Sequence, residues 1–160
     1  AARRARSGMM PAWRLRTAKA VELAESPTWL DLRTGSRRSV DMSAHGDVIV
    51  ARRDIRTSYH LSVVVDDMID GVTLVTRGMD LEDSTHVHRL LQAILEIPAP
   101  AYYHHDLVCD EDGQRLAKRH DALSISELRQ SGLSAREILS YLPDFAESAI
   151  ISSDCSVFTN

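Results

Sequence analysis

Apolar and polar residues alternate three times in the first third of the chain, at Trp13-Arg14-Leu15-Arg16, Trp29-Leu30-Asp31-Leu32 and Asp47-Val48-Ile49-Val50. Pro27, Gly35 and Gly46 punctuate these stretches. A period of two sends successive side chains to opposite faces, so the pattern predicts short strands joined by turns. From residue 58 the blocks lengthen. An apolar run reaches Val65 and a β-branched run occupies 72–76; between 85 and 97, Val87, Leu90, Leu91, Ile94 and Leu95 recur at helical spacing. Asp83 or Ser84 is the expected N-cap of that helix, and Pro98 and Pro100 are expected to stop it. Residues 102–108 then read as a further strand, giving the alternation of β and α expected of part of a parallel α/β sheet.

Past the polar loop at 110–113, Ser124-x-x-Glu127 and Ser134-x-x-Glu137 are two capping boxes with Gly132 between them. They predict a short helical hairpin over residues 125–142, limited by Pro143. Residues 146–160 show no period and carry no structural expectation.

Composition changes this picture only in part. A chain of 160 residues with 44% hydrophobic content is the size of one ordinary globular domain. Its apolar runs are broken by charges well before the roughly 20 residues that a membrane span needs. The Arg-rich start is followed by Met9-Met10-Pro11-Ala12-Trp13 rather than by an apolar core segment, so no secretory signal is read and a cytoplasmic location is expected. Cys109 and Cys155 lie far apart without a nearby Cys or His partner, which argues against a disulfide framework and a zinc site. Charge is uneven. Residues 1–53 hold 11 Lys and Arg against 5 Asp and Glu, leaving 8 against 18 of the chain's 19 and 23. A basic start suits a polyanion such as RNA, although a solvated arginine face has the same composition.

The motifs go further than periodicity. Tyr59-His60-Leu61, Val64-Val65-Asp66-Asp67, Gly71-Val72-Thr73, Arg77-Gly78, Ser84-Thr85 and the run RLAKR from Arg115 to Arg119 occur in the order and spacing of the glutamyl-tRNA synthetase family, which residues 12–140 resemble. The resemblance implies the second half of a class I synthetase Rossmann-type catalytic domain (58–114), preceded by the end of a β-rich acceptor-binding-type insert (1–57) and followed by the lysine loop and helical hairpin (115–145) and a tail (146–160). It also implies ATP, with Mg, as a substrate, glutamate as the amino acid and tRNA as the acceptor.

Within that resemblance, Lys118 matches the second lysine of a KMSKS-type loop and is the expected catalytic residue. A carboxylate attacking an α-phosphate concentrates negative charge, which an ammonium on a mobile loop can stabilise. Arg115 stands where the loop's first lysine is usual and Ala117 where a serine is usual. Arg115 and Asp80 join Lys118 as expected ATP contacts. Tyr59 and Arg77 match the family's glutamate-binding residues; an arginine fork suits a carboxylate because it makes two parallel charge-assisted hydrogen bonds. The family also places 58–69 on a helix, against the strand propensity of Leu61, Val63, Val64 and Val65. Asp66 and Asp67 are expected to be structural.

The histidines are not read as a metal site. His86 and His88 at i, i+2 on a helix diverge, while His104 or His105 at a strand end could reach an adenine or ribose. The family's zinc-binding cysteines are missing here.

Arg77-Gly78-Met79-Asp80-Leu81 resembles the glutamyl-queuosine tRNA(Asp) synthetase branch more than ordinary glutamyl-tRNA synthetases, which makes tRNA(Asp) the favoured partner. Only 41 residues follow Arg119, too few for the large anticodon-binding region of the ordinary enzyme. No HIGH-type motif is present, and His45-Gly46 is not one. The expectation is therefore a fragment, inactive alone, whose N-terminal catalytic half lies elsewhere. The competing expectation is a non-catalytic descendant that binds tRNA or a protein.

Overall fold

In the computed structural model, which describes residues 11–107 and 124–140, each alternating stretch forms a strand whose ends lie within one residue of the pattern. β1 (Trp13–Leu15) is followed by α1 (Thr17–Leu23), β2 (Thr28–Asp31), β3 (Ser36–Ser39) and β4 (Val48–Ala51). Then come α2 (Tyr59–Ile69), β5 (Leu74–Gly78), one 3₁₀ turn (Met79–Leu81), α3 (Glu82–Ile94) and β6 (Ala101–His105). These elements belong to one compact unit ending at His105, and a second unit begins at Asp106.

Four strands form one sheet in the order β3-β2-β6-β5. β5 and β6 run parallel, with Arg77 beside His104, and α3 crosses between them. β2 also runs parallel to β6, while β3 turns back antiparallel at the sheet's edge. Helical crossovers of this kind are what let parallel strands pair. The sheet thus takes strands from both sides of position 57. β1 and β4 make a separate antiparallel pair.

The apolar core lies under α3. Val87, Leu90 and Leu91 meet Ala20 of α1, Val64 of α2 and Met42, all under 9% exposed, with Leu15, Val40, Val48, Val50 and Ile97 around them. The helix over the disputed stretch is α2: Ser58 takes the extended N-cap conformation, and its hydroxyl accepts from Leu61 N at 3.3 Å. Gly71, with φ of +66°, closes that helix in the left-handed region where a Cβ is strained.

Both ends of α3 depart from expectation. The helix begins at Glu82, after the 3₁₀ turn, so Asp83 and Ser84 lie inside it and no side chain caps it. Glu82 and Asp83 instead place negative charge against the helix N-terminus. The helix stops at Ile94, ahead of Pro98, because Glu96 turns left-handed (φ 57°) and Ile97 N donates to Gln92 O at 2.8 Å. That turn delivers Ile97 to the core. α1 was not expected at all. Its first turn is held by a distant residue: Asp47 Oδ1 accepts from Thr17 N at 3.2 Å, and the Thr17 hydroxyl donates to Gly46 O at 2.9 Å.

In the second unit, α4 (Ile125–Gln130) and α5 (Ala135–Ser140) both carry the expected caps. Ser124 N donates to Glu127 Oε2 at 2.7 Å and Glu127 N to Ser124 Oγ at 3.2 Å. Ser134 and Glu137 repeat the exchange at 2.8 and 3.3 Å. Gly132 lies between the helices with φ of +94°. None of the described helices is long and apolar enough to cross a membrane.

Candidate functional site

The three mutually parallel strands end on one edge of the sheet, at Asp31, Gly78 and His105, which is where open α/β sheets bind ligands. Arg77 is the penultimate residue of β5. Because its strand partner is His104, and Tyr102 pairs with Val75, these side chains share the sheet face covered by α3. α3 answers with Thr85, His88 and Gln92, spaced i, i+3, i+7 and all under 4% exposed. α2 contributes Tyr59 and His60 from its first turn.

Arg77 is bound by neutral groups. Its Nη1 lies 3.2 Å from His88 Nδ1 and its Nε 3.4 Å from His104 Nε2, while Nη2 donates to the Thr85 hydroxyl. Thr85 Oγ1 is 2.9 Å from His104 Nε2, and His88 Nε2 is 3.0 Å from His60 Nδ1. The guanidinium carbon also stands 5.4 Å from the centre of the Tyr102 ring, a cation–π contact. Among the described residues no carboxylate forms an ion pair with Arg77.

Burial and that cation keep the histidines uncharged. Burial first, then Arg77 and His60, hold His88 down to about 3 from 6.5. Burial first, and then Arg77, also lowers His104; His60 is lowered by burial, His45 and Arg77. Asp67, on the same helix as His60, is raised by burial, against the pull of Arg77.

Of the residues expected from sequence, Tyr59 and Arg77 are brought together through a shared neighbour. The Tyr59 ring, itself 55% exposed, stands edge-on to His60 and His88 at 5.5 and 5.6 Å. Asp80 is exposed on the turn directly after β5. Lys118 and Arg115 lie outside the described residues. The reading of His104 as a nucleotide contact needs correction: strand alternation turns its ring inward, where it is 1% exposed and its Nε2 is used by Thr85 and Arg77. His86 and His88 do diverge; His86 Nδ1 accepts from Asp41 N at 3.0 Å, away from the Arg77 cluster.

The residues that sequence reasoning missed are Thr85, His88 and His60 as partners of Arg77. Their signal is a second, polar stripe on α3 beside the apolar one. Among the described residues no group of three or more His, Cys, Asp and Glu side chains converges as a metal cage would. A separate open hollow of about 490 Å³ lies between α1 and residues 40–47, lined by Thr17, Asp41, Met42, His45 and Asp47. None of the expected site residues lines it.

Comparison with known proteins adds three findings. The family described as tRNA synthetases class I (E and Q), catalytic domain, matches residues 18–149. A glutamyl-Q tRNA(Asp) synthetase from Rhodobacter capsulatus is 53% identical over 95 residues, covering 59% of this chain and 34% of that protein. One from Nitratidesulfovibrio vulgaris is 38% identical over 154 residues, covering 92% of this chain and 46% of that protein. The crystal structure of a glutamate tRNA ligase from Elizabethkingia meningosepticum, in complex with its amino acid, superposes with a TM-score of 0.51 at 25% identity, over 69% of this chain and 21% of that one. The chain thus spans less than half the length of each of these proteins.

Proposed function

Since the chain belongs to the class I tRNA synthetase (E and Q) catalytic-domain family, a family of ATP-using ligases, we propose that it forms the glutamate-holding part of an enzyme that activates glutamate and transfers it to the queuosine base of tRNA(Asp). The observation that carries this reading is the set of acceptors around Arg77, all of them histidine or threonine. A cation whose direct hydrogen-bond acceptors are uncharged side chains, at the carboxyl edge of a parallel sheet, is not neutralised by them and attracts an incoming carboxylate. In this reading Tyr59, whose ring meets His88 edge-on, orients that carboxylate through its hydroxyl.

In this reading the α-carboxylate of glutamate attacks the α-phosphate of ATP and pyrophosphate leaves, giving glutamyl-adenylate. Lys118 stabilises the charge that develops, Arg115 and Asp80 contact ATP, and Mg accompanies its phosphates. The glutamyl group then passes to the tRNA and AMP is released. The site is completed by an N-terminal half carrying a HIGH-type motif, and the enzyme works in the cytoplasm. The names of two relatives, together with the Arg77-Gly78-Met79-Asp80-Leu81 run, favour queuosine of tRNA(Asp) as the acceptor.

The superposition on a glutamate tRNA ligase favours a second reading, an ordinary glutamyl-tRNA synthetase that charges the 3′ end of tRNA(Glu). Glutamate-dependent pyrophosphate exchange, measured on the chain expressed with its upstream coding region, tests the activation step; Arg77→Ala and Lys118→Ala are each expected to abolish it. Absence of exchange in the unsubstituted protein would leave a non-catalytic tRNA- or protein-binding descendant. Transfer of labelled glutamate to tRNA(Asp) with and without queuosine, set beside tRNA(Glu), separates the two acceptors.

A further inference from the structure

The hydrogen bonds around Arg77 determine where the protons of three histidines sit. A guanidinium only donates, so every ring nitrogen it reaches must be bare. His88 Nδ1 accepts from Arg77, so neutral His88 carries its proton on Nε2. That proton faces His60 Nδ1 at 3.0 Å, so His60 in turn is protonated on Nε2. On the other branch, Thr85 accepts from Arg77 Nη2 and gives its own hydrogen to His104 Nε2. His104 Nε2 also faces Arg77 Nε, so its proton is on Nδ1. The two branches use Nε and one N–H on each terminal nitrogen. One N–H remains on each terminal nitrogen, two donors that a carboxylate can accept from.

We propose that His88 and His60 are positioning residues for Arg77. They form a one-way relay from Arg77 through His88 to His60 that aims the guanidinium at a carboxylate without neutralising it. The carboxylate being that of glutamate rests on the function proposed above; the relay itself rests on the geometry. An aspartate or glutamate brace would orient the same fork but cancel its charge, and with it the attraction for an anionic substrate. A neutral ring with one acceptor and one donor gives orientation while leaving the charge intact. His88 also backs the Tyr59 ring, so one side chain orders both expected glutamate contacts.

The first test is spectroscopic and uses the chain itself. ¹⁵N-histidine correlation spectra at neutral pH are expected to show His88 and His60 as Nε2–H tautomers and His104 as the Nδ1–H tautomer, each assigned by loss of its signal in a single variant. A His88 proton on Nδ1, or an imidazolium at neutral pH, overturns the relay. The second test is kinetic, in the protein expressed with its upstream coding region. His88→Phe keeps the ring volume but removes the acceptor, and is expected to raise the glutamate KM about 10- to 100-fold, the usual range for leaving a buried donor unpaired. The KM for ATP should stay unchanged. His88→Asn, which returns an acceptor near the Nδ1 position, is expected to recover most of the loss. An unchanged glutamate KM in His88→Phe, or equal losses for ATP and glutamate, overturns the positioning role. If the unsubstituted protein does not activate glutamate, the proposed function fails, and the tautomers still decide the relay.

Discussion

α3 buries two stripes, and they are held in different ways. Val87, Leu90 and Leu91 face the apolar core, while Thr85, His88 and Gln92 face the sheet around Arg77; all six are 3% exposed or less. On the apolar side attraction is non-directional, and shapes of similar volume substitute for one another at modest cost. On the polar side every donor needs an acceptor in a particular direction, and a missing partner exposes the desolvation cost of whatever is left. Even here the polar layer is not fully satisfied: Gln92 Nε2 donates to the Tyr102 hydroxyl at 3.0 Å, but Gln92 Oε1 and Trp29 Nε1 have no partner among the described residues. The apolar stripe holds the unit together, and the polar one gives the site its geometry.

Acid should break the polar side first. His88 is held near 3 when folded and returns to 6.5 when unfolded. The unfolded chain therefore takes up a proton first as the pH falls. Stability is complete above the unfolded value and is lost progressively down to the folded one, by roughly 1.4 kcal/mol per pH unit and about 5 kcal/mol in all. His60 and His104, also lowered, act in the same direction, whereas the raised Asp67 opposes them. Urea titrations across this window measure the slope, and a flat profile would place His88 outside the interior.

Leu90→Ala tests the other stripe. Truncating this fully buried side chain should cost about 3 kcal/mol in urea unfolding, while the histidine tautomers of the remaining folded protein stay as they were. Thr85→Val sharpens the contrast because it keeps volume and removes only a hydroxyl. It should cost about 2 kcal/mol and disturb the His104 ring signal, since Arg77 Nη2 loses its acceptor and His104 Nε2 keeps only the longer contact with Arg77 Nε. A change below the error of the urea measurement, with His104 undisturbed, would mean that the polar layer tolerates gaps as the core does. Ser58→Ala should have the smallest effect, about 1 kcal/mol, by removing the N-cap of the helix that begins with Tyr59 and His60.

Much of the fold was legible in the chain because its signals are local. The strand alternation at Trp29, the apolar helical spacing at Val87, Leu90 and Leu91, and the caps at Ser124 and Ser134 each need only a few neighbouring residues. What escaped was supplied from far away in sequence. α1 is capped by Asp47, which no window around Thr17 contains. β3, with the sequence Ser36-Arg37-Arg38-Ser39, has no apolar face and exists as a strand because β2 pairs with it. Arg38 then lies over the Trp29 ring at 5.0 Å and reaches Glu82 and Asp31. Arg77 and Tyr59 were legible through family resemblance, but the histidines that join them were not. In sequence His88 stands out only as the i+2 neighbour of His86, whereas its partners come from β5 and α2.

The order of strands in the sheet has a consequence for how the site comes into being. The pairing that sets Arg77 beside His104 joins positions 27 apart, whereas β2 reaches the same histidine strand from much farther off, its partnered Asp31 and Tyr102 being 71 apart. From an unfolded chain the longer closure costs about 0.9 kcal/mol more in loop entropy. Local closures reward themselves earlier during folding. The β5-α3-β6 segment therefore has the shorter route to its native pairing, and the edge that β2 and β3 add to it as a hairpin carries the larger closure cost.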